Sequence, residues 1–228
     1  MGTVLIIFVY LCYLVFALRI IWRIFLLSKV PENTDSSAMP QPKTTFLTVI
    51  KTARDIVLLT RLFKVNPLLW FGEWVFHAAF VLVLIRHLRY VLDTAPGWLI
   101  NLEFVGLLAG HVLPIALIYI FIVKFLIEKM KYFSTQNFFL LLLLFLLSTT
   151  GIIMRNFMPP DIIEIKMFIS RALSLKTGPA PDSLLFIIHL VTASIFLALI
   201  PAHIFAAPFT MMEARKRDDL LNQVIHEK

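Results

Sequence analysis

Five apolar runs, each long enough to cross about 30 Å of hydrocarbon, fall at about 4–27, 67–92, 98–126, 137–156 and 183–212. Inside a bilayer every backbone donor and acceptor must be satisfied within its own segment, so runs of this length predict helices. The fold class expected is therefore all-α and integral to a membrane, a bundle of five transmembrane helices. Composition agrees: 60% of the 228 residues are hydrophobic, 15% are charged, and the mean hydropathy is +0.88. That is more apolar surface than a soluble domain of this size can bury.

The first run has no basic stretch before it and no small-residue cleavage site after it, so it reads as a retained span rather than a signal peptide. Arg19 and Arg23 lie at its far end, which predicts an N-terminus outside and a C-terminus inside. With five spans, 28–66, 129–136 and the tail 213–228 then fall inside, and 93–97 and 157–182 outside. The inside segments and helix ends carry 15 of the 21 Lys and Arg, as the positive-inside bias requires. An excess of basic residues arranged this way orients a membrane protein, and nucleic acid is not an expected partner.

The organisation predicted is a single membrane domain over 1–228. Within 28–66, a polar Pro/Ser-rich linker precedes an amphipathic helix over 46–63 that carries Lys51, Arg54 and Arg61. That helix suits either a membrane surface or a docking partner inside. The outside loop 157–182 holds a second short amphipathic segment over 161–175, suited to roofing a pocket or simply to packing at the surface. Asn66 followed by Pro67 marks the start of the second span, because Pro at the first helical position loses only a donor that has no partner anyway. No internal repeat is evident.

Cysteine chemistry is excluded as a metal framework, since Cys12 is the single cysteine and no C-x-x-C-H is present. Histidine is the informative residue. Five of the six lie in spans: His77 and His87 in the second, His111 in the third, His189 and His203 in the fifth. Ligating groups at membrane depth are costly and face a bundle interior or a cofactor. His77 and His87 are separated by ~15 Å of rise and roughly 80°, and His189 and His203 by ~21 Å and roughly 40°. Each pair thus projects into one broad sector at two depths. Because the second and fifth helices run antiparallel, His77 pairs with His203 towards the inside and His87 with His189 towards the outside.

Two imidazoles reaching one iron from facing helices are what a non-covalent haem b requires. Two such haems stacked through the bilayer would form an electron path with no open coordination position. The competing reading makes these histidines interhelical hydrogen-bonders. Arg86, Arg89 and Arg155 stand at outer helix ends, placed for the outer haem's propionates or for ordinary snorkelling to headgroups. Glu73 precedes His77 by one turn, suited to orienting that imidazole or to the headgroup layer. His111 has no matching partner and is either a quinone-site hydrogen-bonder or structural.

At these histidines the chain resembles the gamma-subunit family of respiratory nitrate reductase, and within it the cytochrome b subunits of sulfate-reducer redox complexes and membrane-bound heterodisulfide reductase. The likeness covers nearly the whole chain and rests on five spans, on His77 and His87 ten apart, and on His189 paired with His203. Thr149 to Arg155 also resembles the fourth-helix signature of those relatives.

The resemblance implies an inner haem on His77 and His203, an outer haem on His87 and His189, and a quinone site by the outer haem that His111, Arg86 and Arg155 would serve. It implies electron transfer between menaquinone or another quinone and an iron–sulfur subunit on the inside face. The other partners implied are membrane lipid, further subunits of a respiratory complex and, outside, a multihaem cytochrome c. The location implied is the cytoplasmic (inner) membrane. Such a chain would be an electron-transfer subunit, not catalytic alone. A proton-coupled transporter with a histidine relay and a haem-free anchor are the alternatives.

Overall fold

A computed structural model describes residues 2–28, 46–127, 135–201 and 212, and the described residues are helical with no strand. The helices, in chain order, are α1 (Gly2–Ser28), α2 (Phe46–Leu58), α3 (Thr60–Val65), α4 (Pro67–Val91) and α5 (Gly97–Asn101). After these come α6 (Glu103–Ile122), which runs on as a π-helical turn over Val123–Ile127, then α7 (Thr135–Asn156), α8 (Ile162–Leu173) and α9 (Leu184–Leu199). Among the described residues, four helical stretches are long and apolar enough to cross a membrane: Gly2–Leu26, Pro67–Val91, Glu103–Ile127 and Thr135–Asn156. The chain is thus a multi-pass membrane protein. The expected fifth span is represented by α9, an apolar helix of 16 residues; most of the remainder of 183–212 lies outside the described residues, as do 29–45 and the tail.

The expected starts and stops hold where their chemistry is local. The Asn66 side chain accepts from the Leu69 amide at 3.0 Å, with Pro67 opening α4. Two long runs are interrupted. The amphipathic run over 46–63 breaks at Leu59, whose φ of 50° is left-handed, so α2 and α3 are separate helices. The run over 98–126 breaks at Leu102, whose amide turns back to Trp98 and Ile100, so the short α5 leads into α6. On α2 the faces are inverted relative to a soluble helix: Thr48, Thr52 and Asp55 are buried, and Phe46 and Val57 are exposed. The apolar part of this outer face suits a helix bedded on lipid, with Lys51 and Arg54 exposed beside it. The Trp70 indole donates to the Leu58 carbonyl at 2.7 Å, tying the end of α2 to α4.

The neighbours run α4 on α6, α6 on α7, α7 on α9 and α9 on α1. Lipid tails are as apolar as leucine, so close approach rather than water exclusion holds such helices together. The α4–α6 contact shows it. Gly72 and Ala79 on α4, and Ala109 and Ala116 on α6, are buried small residues spaced by seven, two turns apart on one stripe. A side-chain carbon at Gly72 would collide with the Tyr119 ring. Tyr119 in turn donates to the Leu68 carbonyl at 3.0 Å.

One end of the bundle is capped by α8. Asp161 caps it by accepting from the Ile163 amide at 2.7 Å. Its apolar face, Ile165 and Phe168, packs with Leu5 and Ile6 of α1 and Phe186 of α9, flanked by Tyr90 of α4 and Met154 of α7. Polar ties reinforce this cap. Lys166 donates to the Leu92 and Asp93 carbonyls, and Tyr10 donates to the Ala172 carbonyl. The starts of α1 and α9 and the ends of α4 and α7 therefore share one end of the bundle. At the other end Arg19 of α1 donates to the Ala198 carbonyl at 3.1 Å, near the end of α9. Lys51 and Arg54 lie on α2 as the sequence suggests, both exposed.

Candidate functional site

α4 and α9 do not pack backbone against backbone; they meet through side chains at two levels. Near the α8 end the rings of His87 and His189 lie with centroids 6.2 Å apart and planes within 6° of parallel. Seven residues deeper on each helix, Phe80 and Phe196 meet edge to face at 6.0 Å. Seven residues is two turns on either helix, a rise of about 10 Å, so both contacts belong to one antiparallel register. The pairing of His87 with His189 expected from spacing is therefore present.

The geometry suits a shared metal. An imidazole nitrogen bound at about 2 Å, with its ring centre about 1 Å further back, puts two trans imidazole centres about 6 Å apart. The observed separation has that size, and the near-parallel planes allow both rings to address one centre. Each ring also has its distal nitrogen occupied elsewhere. His87 donates its Nδ1–H to the Val83 carbonyl at 2.7 Å, and His189 Nδ1 lies 2.9 Å from the Thr150 hydroxyl. Anchoring Nδ1 in this way is how proteins orient a ligating histidine and leave Nε2 for the metal. Gly151 borders the same ring, for a side-chain carbon there would stand 3.5 Å from His189 Cε1. The residues present fit a bis-histidine haem. No group of three or more His, Cys, Asp or Glu that could hold a metal occurs among the described residues, and a site with two protein ligands requires none.

His77 lies deeper on α4 and donates Nδ1–H to the Glu73 carbonyl at 2.6 Å, with Glu73 Oε2 at 4.0 Å. Its expected partner, His203, lies outside the described residues. Glu73 is chiefly engaged by Lys124, whose Nζ stands 2.7 Å from Oε1. Lys124 occupies the π-helical turn that continues α6, a distortion that recurs at functional sites.

Arg86, Arg89 and Arg155 are all at the α8 end, each held by a neighbouring polar group. Arg86 binds Glu103 at 3.1 Å and the Leu99 carbonyl at 3.3 Å. Its stem passes over Gly106, where any side chain would collide with it. Arg155 stands 3.7 Å from the same Glu103 oxygen. Arg89 donates to the Tyr90 hydroxyl and lies 4.6 Å above that ring, while Tyr90 sits 5.9 Å from His87, ring to ring. Arg86 and Arg155 thus converge on one carboxylate that joins α4, α6 and α7. His111 is fully engaged: Nδ1–H donates to the Leu107 carbonyl at 2.9 Å, which leaves Nε2 to accept from the Asn156 amide at 3.1 Å. Asn156 keeps a second amide hydrogen and a carbonyl oxygen for another partner.

Glu103, Lys124, Asn156 and Thr150 are the residues missed. Glu103 and Lys124 carried a usable signal, because each is a charge within the third run and faces the opposite charge of Arg86 or Glu73 on the neighbouring antiparallel helix.

The chain is similar to a protein of Archaeoglobus profundus named Hdr-like menaquinol oxidoreductase cytochrome b-like subunit, at 26% identity over 242 residues, which covers 84% of this chain and 71% of that relative. A protein of the same name from Archaeoglobus fulgidus is 26% identical over 149 residues, covering 58% of this chain and 45% of the relative, less than half of its length. No protein-family model matches the chain, and no solved structure matches it. The resemblance read from the histidines, to membrane cytochrome b subunits near heterodisulfide reductase, is borne out by these relatives, and this chain is similar to cytochrome b-like subunits of Hdr-like menaquinol oxidoreductases.

Proposed function

We propose that this chain is the di-haem, quinone-interacting membrane subunit of a respiratory complex, moving electrons between a menaquinone-type pool and an iron–sulfur partner on the inside face. The observation that carries the reading is the His87–His189 pair, 6.2 Å apart and near-parallel between α4 and α9. The names of the relatives support the quinone-linked role. In this reading α9 continues as a fifth span, the N-terminus lies outside, and His77 with His203 holds a second, inner haem. Haems held by His87 with His189 and by His77 with His203 would supply single-electron transfer.

The chain's own residues do the rest. His87 and His189 fix the position and tilt of the outer group through Nδ1 anchors. The Arg86–Glu103–Arg155 cluster holds cationic donors at that group's end of the bundle, for its carboxylates or for a quinone oxygen. The His111–Asn156 pair supplies the polar contact at which a quinone ring is oriented. Glu73 and Lys124 border the inner ligand. The exposed basic residues Lys51 and Arg54 of α2 would meet an acidic face of the iron–sulfur partner. A multihaem cytochrome c would dock outside, and the membrane would be the cytoplasmic one.

A reduced-minus-oxidised absorption spectrum of the purified chain tests this. A b-type signal with two haems per chain is expected, and replacing either His87 or His189 by Ala should remove the same single haem. A colourless chain, or His87→Ala and His189→Ala removing different haems, overturns the assignment.

A further inference from the structure

Three of the four described intramembrane histidines use the same anchor. His77, His87 and His111 each donate Nδ1–H to the backbone carbonyl four residues earlier in their own helix. His189 departs from this pattern, because its ring is met by another helix, α7, through the Thr150 hydroxyl at 2.9 Å from Nδ1 and the Leu147 backbone carbonyl beside it. We propose that Thr150 is a positioning residue that fixes the tautomer of His189 and lowers the reduction potential of the haem that His189 and His87 hold; this rests on the haem reading above.

The direction of the hydrogen bond follows from counting protons. The Thr150 hydroxyl has one hydrogen and lies 2.9 Å from the Leu146 carbonyl and 3.0 Å from the Leu147 carbonyl, acceptors that threonine commonly engages within a helix. Giving its hydrogen to the Leu146 carbonyl leaves the Leu147 carbonyl to the His189 ring and turns a hydroxyl lone pair towards Nδ1, so that Nδ1–H is the donor. Neutral imidazole carries one N–H, and placing it on Nδ1 leaves Nε2 bare for a metal. The neighbouring hydroxyl does not share this role: Thr149 donates to the Phe145 carbonyl at 2.7 Å. The setting is fixed, since Thr150 is buried and Gly151 beside it leaves the ring room. A donor bond from Nδ1–H makes the imidazole a more basic ligand, which favours the oxidised iron.

The test is a redox titration of the haems in the purified chain, comparing wild type with Thr150→Val, Thr150→Ser and, as control, Thr149→Val. The valine at 150 keeps the shape and removes the hydroxyl acceptor, leaving the Leu147 carbonyl as the ring's partner on α7. The expected result is an upward shift of one midpoint potential in Thr150→Val, in the haem that His189→Ala removes, with Thr150→Ser and Thr149→Val at the wild-type value. Intact haem content with both potentials unmoved in Thr150→Val overturns the proposal. If the valine chain does not hold the outer haem, Thr150→Ala and Thr150→Ser decide. Loss in alanine with retention in serine supports positioning through the hydroxyl, and loss in both, or retention at the wild-type potential in alanine, overturns it. A wild-type chain without b-type absorption overturns this proposal and the haem reading together, whereas a two-haem wild type with an unshifted valine variant overturns this proposal alone.

Discussion

The Glu73–Lys124 pair should act as a clamp between α4 and the π-helical end of α6, and its strength can be bounded. At 2.7 Å, opposite unit charges at an effective permittivity of ~20 attract by ~6 kcal/mol. The side chains retain 17% and 30% of their exposure, and an unfolded chain within a bilayer also finds polar partners, so the net coupling falls to ~1–2 kcal/mol. Removing one partner should cost more, ~2–4 kcal/mol, because a charge is left unpaired among apolar groups. Unfolding of purified Glu73→Gln, Lys124→Met and the double variant in denaturant, followed by helical circular dichroism, gives the cycle. The double variant should be less destabilised than the sum of the single variants by ~1–2 kcal/mol. The equivalent cycle on Arg86 and Glu103, where the carboxylate side chain is 52% exposed, should give less than half of this coupling. Additive effects within ~0.3 kcal/mol at Glu73 and Lys124 would refute the clamp.

Three further outcomes are expected. Gly151→Val should displace the His189 ring and lower the content of one haem, because a side-chain carbon already stands at 3.5 Å, while Gly151→Ala makes only that ordinary contact and should keep both haems; pigment absorbance per chain checks this. Gly106→Ala should cost ~1–3 kcal/mol of unfolding free energy by overpacking against the Arg86 stem, and truncating Arg86 to Ala should abolish that extra cost. His111→Leu should raise the Kd for a menaquinone analogue several-fold, read from its perturbation of the haem spectrum, while leaving the haem content unchanged; an unaltered Kd would exclude the His111–Asn156 pair from quinone binding.

The four long spans were legible because bilayer thickness and backbone satisfaction leave few alternatives to a long apolar helix. Asn66–Pro67 was legible too, as a helix start with local chemistry. The breaks at Leu59 and Leu102 were not, since neither position carries the Gly or Pro that usually announces one, and the left-handed conformation of Leu59 comes from tertiary context. In the site, the His87–His189 pairing followed from helical rise alone. Thr150 was hidden by its commonness: Thr149, Thr192 and Ser194 all return their hydroxyls to their own helices, and nothing in the sequence shows which hydroxyl also meets a histidine. Glu103 joins two arginines from different helices, a relation that exists only once α4, α6 and α7 are assembled.

The phenyl pair deep between α4 and α9 acts as a strut. With Phe80 and Phe196 braced edge to face two turns from the imidazoles, the slot between the two helices is propped at its working width by rigid rings. A slot held open in advance would spare a haem bound by His87 and His189 much of the cost of prying helices apart on entry. The width of that slot is then governed by two side chains that need never touch an iron, and shortening either one should let the walls lean together and pinch the slot before any ligand is lost.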